Sequence, residues 1–108
     1  MRRGDLVTIA LQGNFGKPRP ALIVQSDHFD AHPKVTVLLV SSALVASPLL
    51  RVTVEPDELN GLRAPSQIMV DKAMTVMRGK VDPAFGRLGG DRMLEVERCL
   101  ALFLGIAR

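Results

Sequence analysis

Leu6-Val7-Thr8-Ile9-Ala10-Leu11, then Gln12-Gly13-Asn14-Phe15-Gly16-Lys17-Pro18-Arg19-Pro20, then Ala21-Leu22-Ile23-Val24-Gln25: the reading of this opening decides the fold. The first run has the length and β-branched content of a strand, and it stops where glycines, Asn14 and two prolines supply turn chemistry. Ala21-Leu22-Ile23-Val24-Gln25 is a short apolar run between breakers, which fits a buried strand better than a helix. The chain therefore begins as strand, loop, strand. Working outward, a second loop over residues 26–33 leads to Val35-Thr36-Val37-Leu38-Leu39-Val40, a third strand that turns polar at Ser41-Ser42. Leu50-Arg51-Val52-Thr53-Val54-Glu55 alternates apolar and polar with period two, so one face is buried and the other wet, and Pro56 ends it. Asn60-Gly61 signals a turn, residues 66–76 offer strand material in two pieces, and Gly79 closes that stretch. After Gly89-Gly90 comes a helix: Asp91 is the expected N-cap, Met93, Val96, Leu100 and Phe103 form an apolar stripe at helical spacing, and Gly105 ends it.

This order, about five or six short strands and a final helix, predicts a mainly β protein of the α+β kind. A small, strongly curved antiparallel sheet or barrel with one packed helix buries these faces most simply. The chain has 108 residues, so a single domain over 1–108 is expected. At 47% hydrophobic and 23% charged, with a net charge of +3, the composition excludes disorder. A membrane span needs about 18 consecutive apolar residues, and runs such as 37–40 are far shorter. Arg2 and Arg3 precede no apolar stretch of the kind a secretory signal carries, and one cysteine cannot build a disulfide framework, so a cytoplasmic setting is expected. The modest basic excess makes a polyanion a plausible partner.

The candidate chemistry is correspondingly narrow. His28 and His32, beside Asp27 and Asp30, match no metal-ligand spacing, so no metal is expected. Cys99 falls on the apolar side of the helix, where a core thiol is expected. Gly13 and Gly16 lack the following Gly-Lys-Ser/Thr and helix that a phosphate loop requires, and no cofactor is expected. The loop between the first two strands is more informative. Phe15 can stack on an unpaired base, Lys17 can meet a phosphate as a point charge, and Arg19 can give phosphate oxygens a planar pair of hydrogen bonds. Ser41 and Ser42 place hydroxyls at a strand end, where they can donate to a phosphoryl oxygen. Solvated loop residues and strand-ending serines account for the same residues on local grounds. The order of elements allows Arg19 and the serines to face one groove.

These residues resemble the MazF/PemK-like toxins of bacterial toxin-antitoxin systems. Arg3-Gly4-Asp5-Leu6-Val7 resembles the family's opening, and Lys17-Pro18-Arg19-Pro20-Ala21-Leu22-Ile23-Val24 its signature after the first loop. Ser41-Ser42 stands in place of the usual Thr-Ser pair. Asn60-Gly61-Leu62 with Ser66-Gln67-Ile68-Met69-Val70-Asp71 resembles a further block, and Leu100-Ala101-Leu102-Phe103-Leu104-Gly105-Ile106 the closing helix. The resemblance covers almost the whole chain. It implies an SH3-like barrel that dimerises, and a metal-independent endoribonuclease that cuts single-stranded RNA at short sequences, leaving 2′,3′-cyclic phosphate and 5′-hydroxyl ends. It also implies a cognate antitoxin of the MazE/PemI type. Arg19 matches the catalytic arginine and Ser41 the catalytic hydroxyl; Phe15, Lys17, Ser42 and Lys72 are carried as RNA contacts. Lys72 stands where many members have glutamine and Met74 where many have arginine, so the cleavage sequence does not transfer.

Two other readings belong to different classes. CcdB-like gyrase poisons share the fold and use the end of the last helix, to which Leu104-Gly105-Ile106 is loosely similar. They lack the Arg-Pro-Ala-Leu-Ile-Val signature. A catalytically silent RNA-binding relative is the other alternative. Toxicity that depends on Arg19 separates the nuclease from the gyrase poison, which should depend instead on Leu104-Gly105-Ile106.

Overall fold

In a computed structural model, which describes residues 1–10 and 17–107, six strands form one antiparallel sheet and a single α-helix packs against it. The strands are β1 (Asp5–Ala10), β2 (Pro18–Ile23), β3 (Lys34–Ser41), β4 (Arg51–Val54), β5 (Ser66–Met77) and β6 (Gly86–Arg87); the helix is α1 (Gly90–Phe103). Their order across the sheet is β4-β5-β3-β2-β1-β6, and the sheet curls into a half-barrel. The expected mainly β architecture with a closing helix is what forms.

Alternation along the strands builds two cores. Leu6, Leu22, Leu38, Val52, Val54 and Ile68 point to one face, where Val96 and Cys99 of α1 cover them. Val7, Ile9, Ala21, Ile23, Val35 and Val37 make a smaller cluster on the opposite face. At roughly 25 cal/mol per Å², each fully buried Leu or Ile contributes about 1.5–3 kcal/mol.

The differences from the sequence reading have physical causes. β2 starts at Pro18, within the stretch assigned to loop. Its ladder with β1 runs from Pro18, while its ladder with β3 begins only at Ala21, so both prolines sit where the strand has one neighbour and a missing N–H costs nothing. β5 is a single strand, but its register shifts: Val40 pairs with Ile68 and Leu38 with Ala73, leaving Leu39 opposite residues 69–72. The irregularity turns the strand over, so that Ile68 and Val70 join the helix-covered core and Met74 and Val76 the smaller one. That is the physical content of the two pieces. β6, two residues long, carries too little pattern to be seen in advance.

The helix begins two residues earlier than expected. Gly89 is its N-cap, and Asp91 lies in the first turn, where its charge meets the positive end of the dipole without capping. Val96 and Cys99 are buried and Met93 and Leu100 pack beside them, but Phe103 is 48% exposed, because the core contact ends at Leu100. Gly105 closes the helix as expected: at φ 75° it donates to Leu102 O, and Ile106 N–H to Ala101 O, the two bonds of a Schellman motif.

Candidate RNA-cleavage site

Alternation puts Arg19 and Ser41 on one face. Arg19 lies opposite Ile9 of β1 and Ser41 opposite Gln67 of β5, while the β2–β3 ladder runs only from Ile23 with Val37 to Ala21 with Leu39. Both residues therefore fall just past the end of that ladder, at one end of adjacent strands, on the face of Ala21, Ile23 and Val37 where it passes from its buried cluster to the surface. Arg19 is exposed and Ser41 half-buried. Ser41 Oγ accepts the Ala43 N–H at 3.0 Å. A hydroxyl has one proton and two lone pairs, so this bond orients the oxygen and leaves its proton to be donated.

The remaining predicted contacts divide. Lys17 is exposed on the face of Arg19, two residues before it. Lys72 is exposed in the irregular stretch of β5 across from Leu39, one strand from β2. Ser42 falls on the other face, beside Pro20, Thr8 and Ser66 in a cleft of about 520 Å³ that Arg63 and Phe85 also line. The structure thus separates Ser42 from the Arg19–Ser41 pair, because consecutive residues alternate sides. Phe15, with Gly13 and Gly16, lies outside the described residues.

Other residues that the sequence picked out are structural. Arg3 donates to Val24 O and bonds Glu97 of α1 at 2.6 Å; Gly4 takes φ 92° and gives its N–H to Ile23 O; Asp5, buried, receives Arg87 and the Arg2 N–H. The Arg-Gly-Asp block therefore fastens the N-terminus to the sheet and helix. Cys99 is buried with Sγ 3.9 Å from Pro48 O, and burial, with a contribution from Glu95, pushes its thiol pKa up, which keeps it protonated and unreactive at neutral pH. His28 and His32 are exposed in the loop before β3, and among the described residues no three His, Cys, Asp or Glu side chains converge as metal ligands. No helix among the described residues is long and apolar enough to cross a membrane.

Two buried polar side chains escaped the sequence reading. Asn60, 1% exposed, accepts the Asp57 and Leu62 N–H groups and donates to Glu55 O, holding the turn between β4 and β5. Gln67, 5% exposed, pairs with Ser41 on one side and Thr53 on the other. Nothing in the sequence marks a strand glutamine as buried; only the pairing does.

Residues 2–104 match the family described as the PemK-like, MazF-like toxin of type II toxin-antitoxin systems. The chain belongs to this family. It is 45% identical over 108 residues, 99% of each chain, to a probable endoribonuclease MazF from Mycolicibacterium smegmatis (strain ATCC 700084 / mc(2)155). Among solved structures, the Mycobacterium tuberculosis toxin MazF-mt6 superposes with a TM-score of 0.81 at 20% identity, covering 96% of this chain and 99% of that one. An endoribonuclease from a mycobacterial species, in complex with its cognate antitoxin, gives 0.82 at 18% identity, covering 100% and 98%. A MazE-MazF structure from Deinococcus radiodurans gives 0.79 at 23%, covering 99% and 97%. At these identities the structures establish the shared fold. Family membership rests on the sequence matches.

Proposed function

We propose that this toxin is a metal-independent endoribonuclease that cuts single-stranded RNA and so halts translation and growth. The observation that supports the reading is that Arg19 and Ser41 share one face just past the end of the β2–β3 ladder, with the Ser41 oxygen accepting the Ala43 N–H and its proton left to donate. In the reaction the ribose 2′-oxygen attacks the adjacent phosphorus as its proton leaves, the bond to the 5′-oxygen breaks, and that oxygen takes up a proton. The products are a 2′,3′-cyclic phosphate and a 5′-hydroxyl. Negative charge builds on the non-bridging oxygens of the phosphorane. A guanidinium and a hydroxyl fixed beside them stabilise that charge, and neither must reorganise during the step. An arginine side chain does not deprotonate in the working pH range, so Arg19 acts as an electrostatic stabiliser rather than as a base. Lys17 and Lys72 hold flanking phosphates, with Phe15 a further RNA contact and Ser42 a contact for RNA that runs on into the cleft lined by Arg63 and Phe85.

The acting form is a cytoplasmic homodimer, silenced by an antitoxin whose acidic tail competes for the same cationic face. The test is incubation of labelled single-stranded RNA in excess EDTA with wild type, Arg19→Ala and Ser41→Ala, mapping the product ends. Cyclic-phosphate ends that persist in EDTA and fall about 10²–10³-fold in each variant support the reading. Intact RNA, or cleavage that ignores both substitutions, overturns it. The second reading, a gyrase poison, draws on the exposure of Leu104 at 58% and Ile106 at 78% beyond the helix. It predicts toxicity that survives Arg19→Ala and disappears with Ile106→Asp, read by growth and a supercoiling assay.

A further inference from the structure

We infer that Gln67 is a positioning residue for the Ser41 hydroxyl; this rests on the catalytic role proposed for Ser41 and adds a group that does not touch RNA. Gln67 is opposite Ser41 in the β3–β5 ladder and opposite Thr53 in the β4–β5 ladder, so its side chain, 5% exposed, stands between theirs, beside a cleft that Val45 and, from α1, Arg92 and Glu95 also line. Its amide is fully used. Oε1 accepts the Val45 N–H at 3.0 Å, while Nε2 donates to Val45 O at 3.0 Å and to Thr53 Oγ1 at 3.1 Å. A primary amide that pairs with both the N–H and the C=O of one residue imitates a neighbouring strand, and it fixes that residue in position and direction.

Val45 lies four residues beyond Ser41, in a loop whose residues 42–46 are all exposed; besides Gln67, its carbonyl takes the Ser47 N–H at 3.2 Å. Between the two, the Ala43 N–H bonds back to Ser41 Oγ. The loop is thus anchored at both ends: at Val45 by Gln67, and at Ala43 by the hydroxyl that must meet the phosphate. If the Val45 end is released, the Ala43 N–H no longer stays over Ser41 Oγ, and the hydroxyl is free to rotate or to point its proton into the loop. Because Val45 is 49% exposed, its N–H can turn to water once Gln67 is removed, while its C=O keeps the Ser47 N–H. The lost bonds then appear as loosening of the loop more than as unfolding. A catalytic group misplaced by about 1 Å can cost on the order of 10²-fold in rate.

The experiment compares wild type, Gln67→Met, Ser41→Ala and the double variant, with kcat and KM on one RNA and amide exchange of Ala43 followed by NMR. Expected are an Ala43 amide that exchanges at least tenfold faster in Gln67→Met, a kcat reduced about 10–100-fold with KM within threefold, and no further loss when Gln67→Met is added to Ser41→Ala. Unchanged Ala43 exchange, or losses that multiply in the double variant, overturns the proposal. Faster exchange together with a Ser41→Ala variant that cuts like wild type leaves the positioning standing and removes the role assigned to Ser41. Gln67→Glu guards against a Gln67→Met variant that does not fold. Its protonated acid can still accept from Val45 N–H and donate to Val45 O, whereas its carboxylate cannot donate. Its activity relative to wild type must therefore rise as pH falls through the carboxyl pKa, and a flat ratio overturns the proposal.

Discussion

The two faces of this sheet are built from the same strands by the same alternation, yet they end differently. Under α1, the side chains of Leu6, Leu22, Leu38, Val52 and Ile68 are each 0% exposed, and the helix closes the face. On the other side Val7, Ile9, Ala21 and Val37 are equally dry, but they are packed by Leu39, Met74, Val76 and Val81 rather than by a helix, and past that cluster the strand ends turn polar at Arg19 and Ser41. One side spends its apolar residues on stability. The other keeps a small core as a floor and uses the strand ends to aim charge and hydroxyls. A strand pair is a suitable mount for such groups because its register leaves each side chain one direction and one opposite neighbour.

Substitutions on the two faces should therefore separate stability from activity. The largest effect is expected from Ile68→Ala, which empties a fully buried position beneath the helix and should cost about 2–5 kcal/mol. Thermal denaturation checks this, and RNA cleavage per folded molecule at low temperature should remain near wild type. Arg19→Ala is its mirror image. It should lower kcat by about 10²–10³-fold and leave the melting temperature within a few degrees, since Arg19 is exposed. A melting loss comparable to that of Ile68→Ala would make Arg19 part of the scaffold and break the contrast. Asn60→Ala belongs with the first group although it is polar. It strands the N–H groups of Asp57 and Leu62 and the carbonyl of Glu55 around a site 1% exposed, and it should cost about 1–3 kcal/mol with little change in kcat.

How far the sequence shows this division depends on the residue. Strands β1 and β3 are legible as short β-branched, apolar runs buried on both faces, β4 by its period-two alternation, and the helix by its helical spacing. The prolines of β2 mislead, since their tolerance depends on where the ladder to β3 begins, which is a property of the neighbour. The roll-over in β5 is legible only as a strand in two pieces: Met69-Val70-Asp71-Lys72 interrupts the alternation, and the pairing around Leu39 shows how the strand turns there. Arg19 and Ser41 are legible as types and by resemblance, but that they share one face at one end of adjacent strands follows only from the pairing. Ser42 is the counter-case. It looked equivalent to Ser41 in the sequence, and one step along the strand put it on the opposite face. Asn60 and Gln67 stayed hidden because an amide side chain carries the same letter whether it is solvated or holds a loop.

The smallest effect concerns Cys99, the thiol in the helix-covered core. Burial, with Glu95 adding to it, raises its pKa in the folded state, so the folded protein keeps a proton that the unfolded chain releases at a lower pH. At neutral pH both states are protonated and the group contributes nothing to pH dependence. As pH rises past the unfolded thiol pKa, about 8.5, the unfolded state ionises first, and stability falls until the folded thiol ionises too. Cys99→Ala deletes that slope. Denaturant unfolding at pH 7 and at pH 9.5 should show a loss on raising the pH that is smaller in the variant than in wild type by a fraction of a kcal/mol to about 1 kcal/mol, whatever the variant costs at pH 7. An equal loss in both would mean that Cys99 ionises as readily when folded as when unfolded, and the dry core under α1 would then not extend to the face of the helix that carries it.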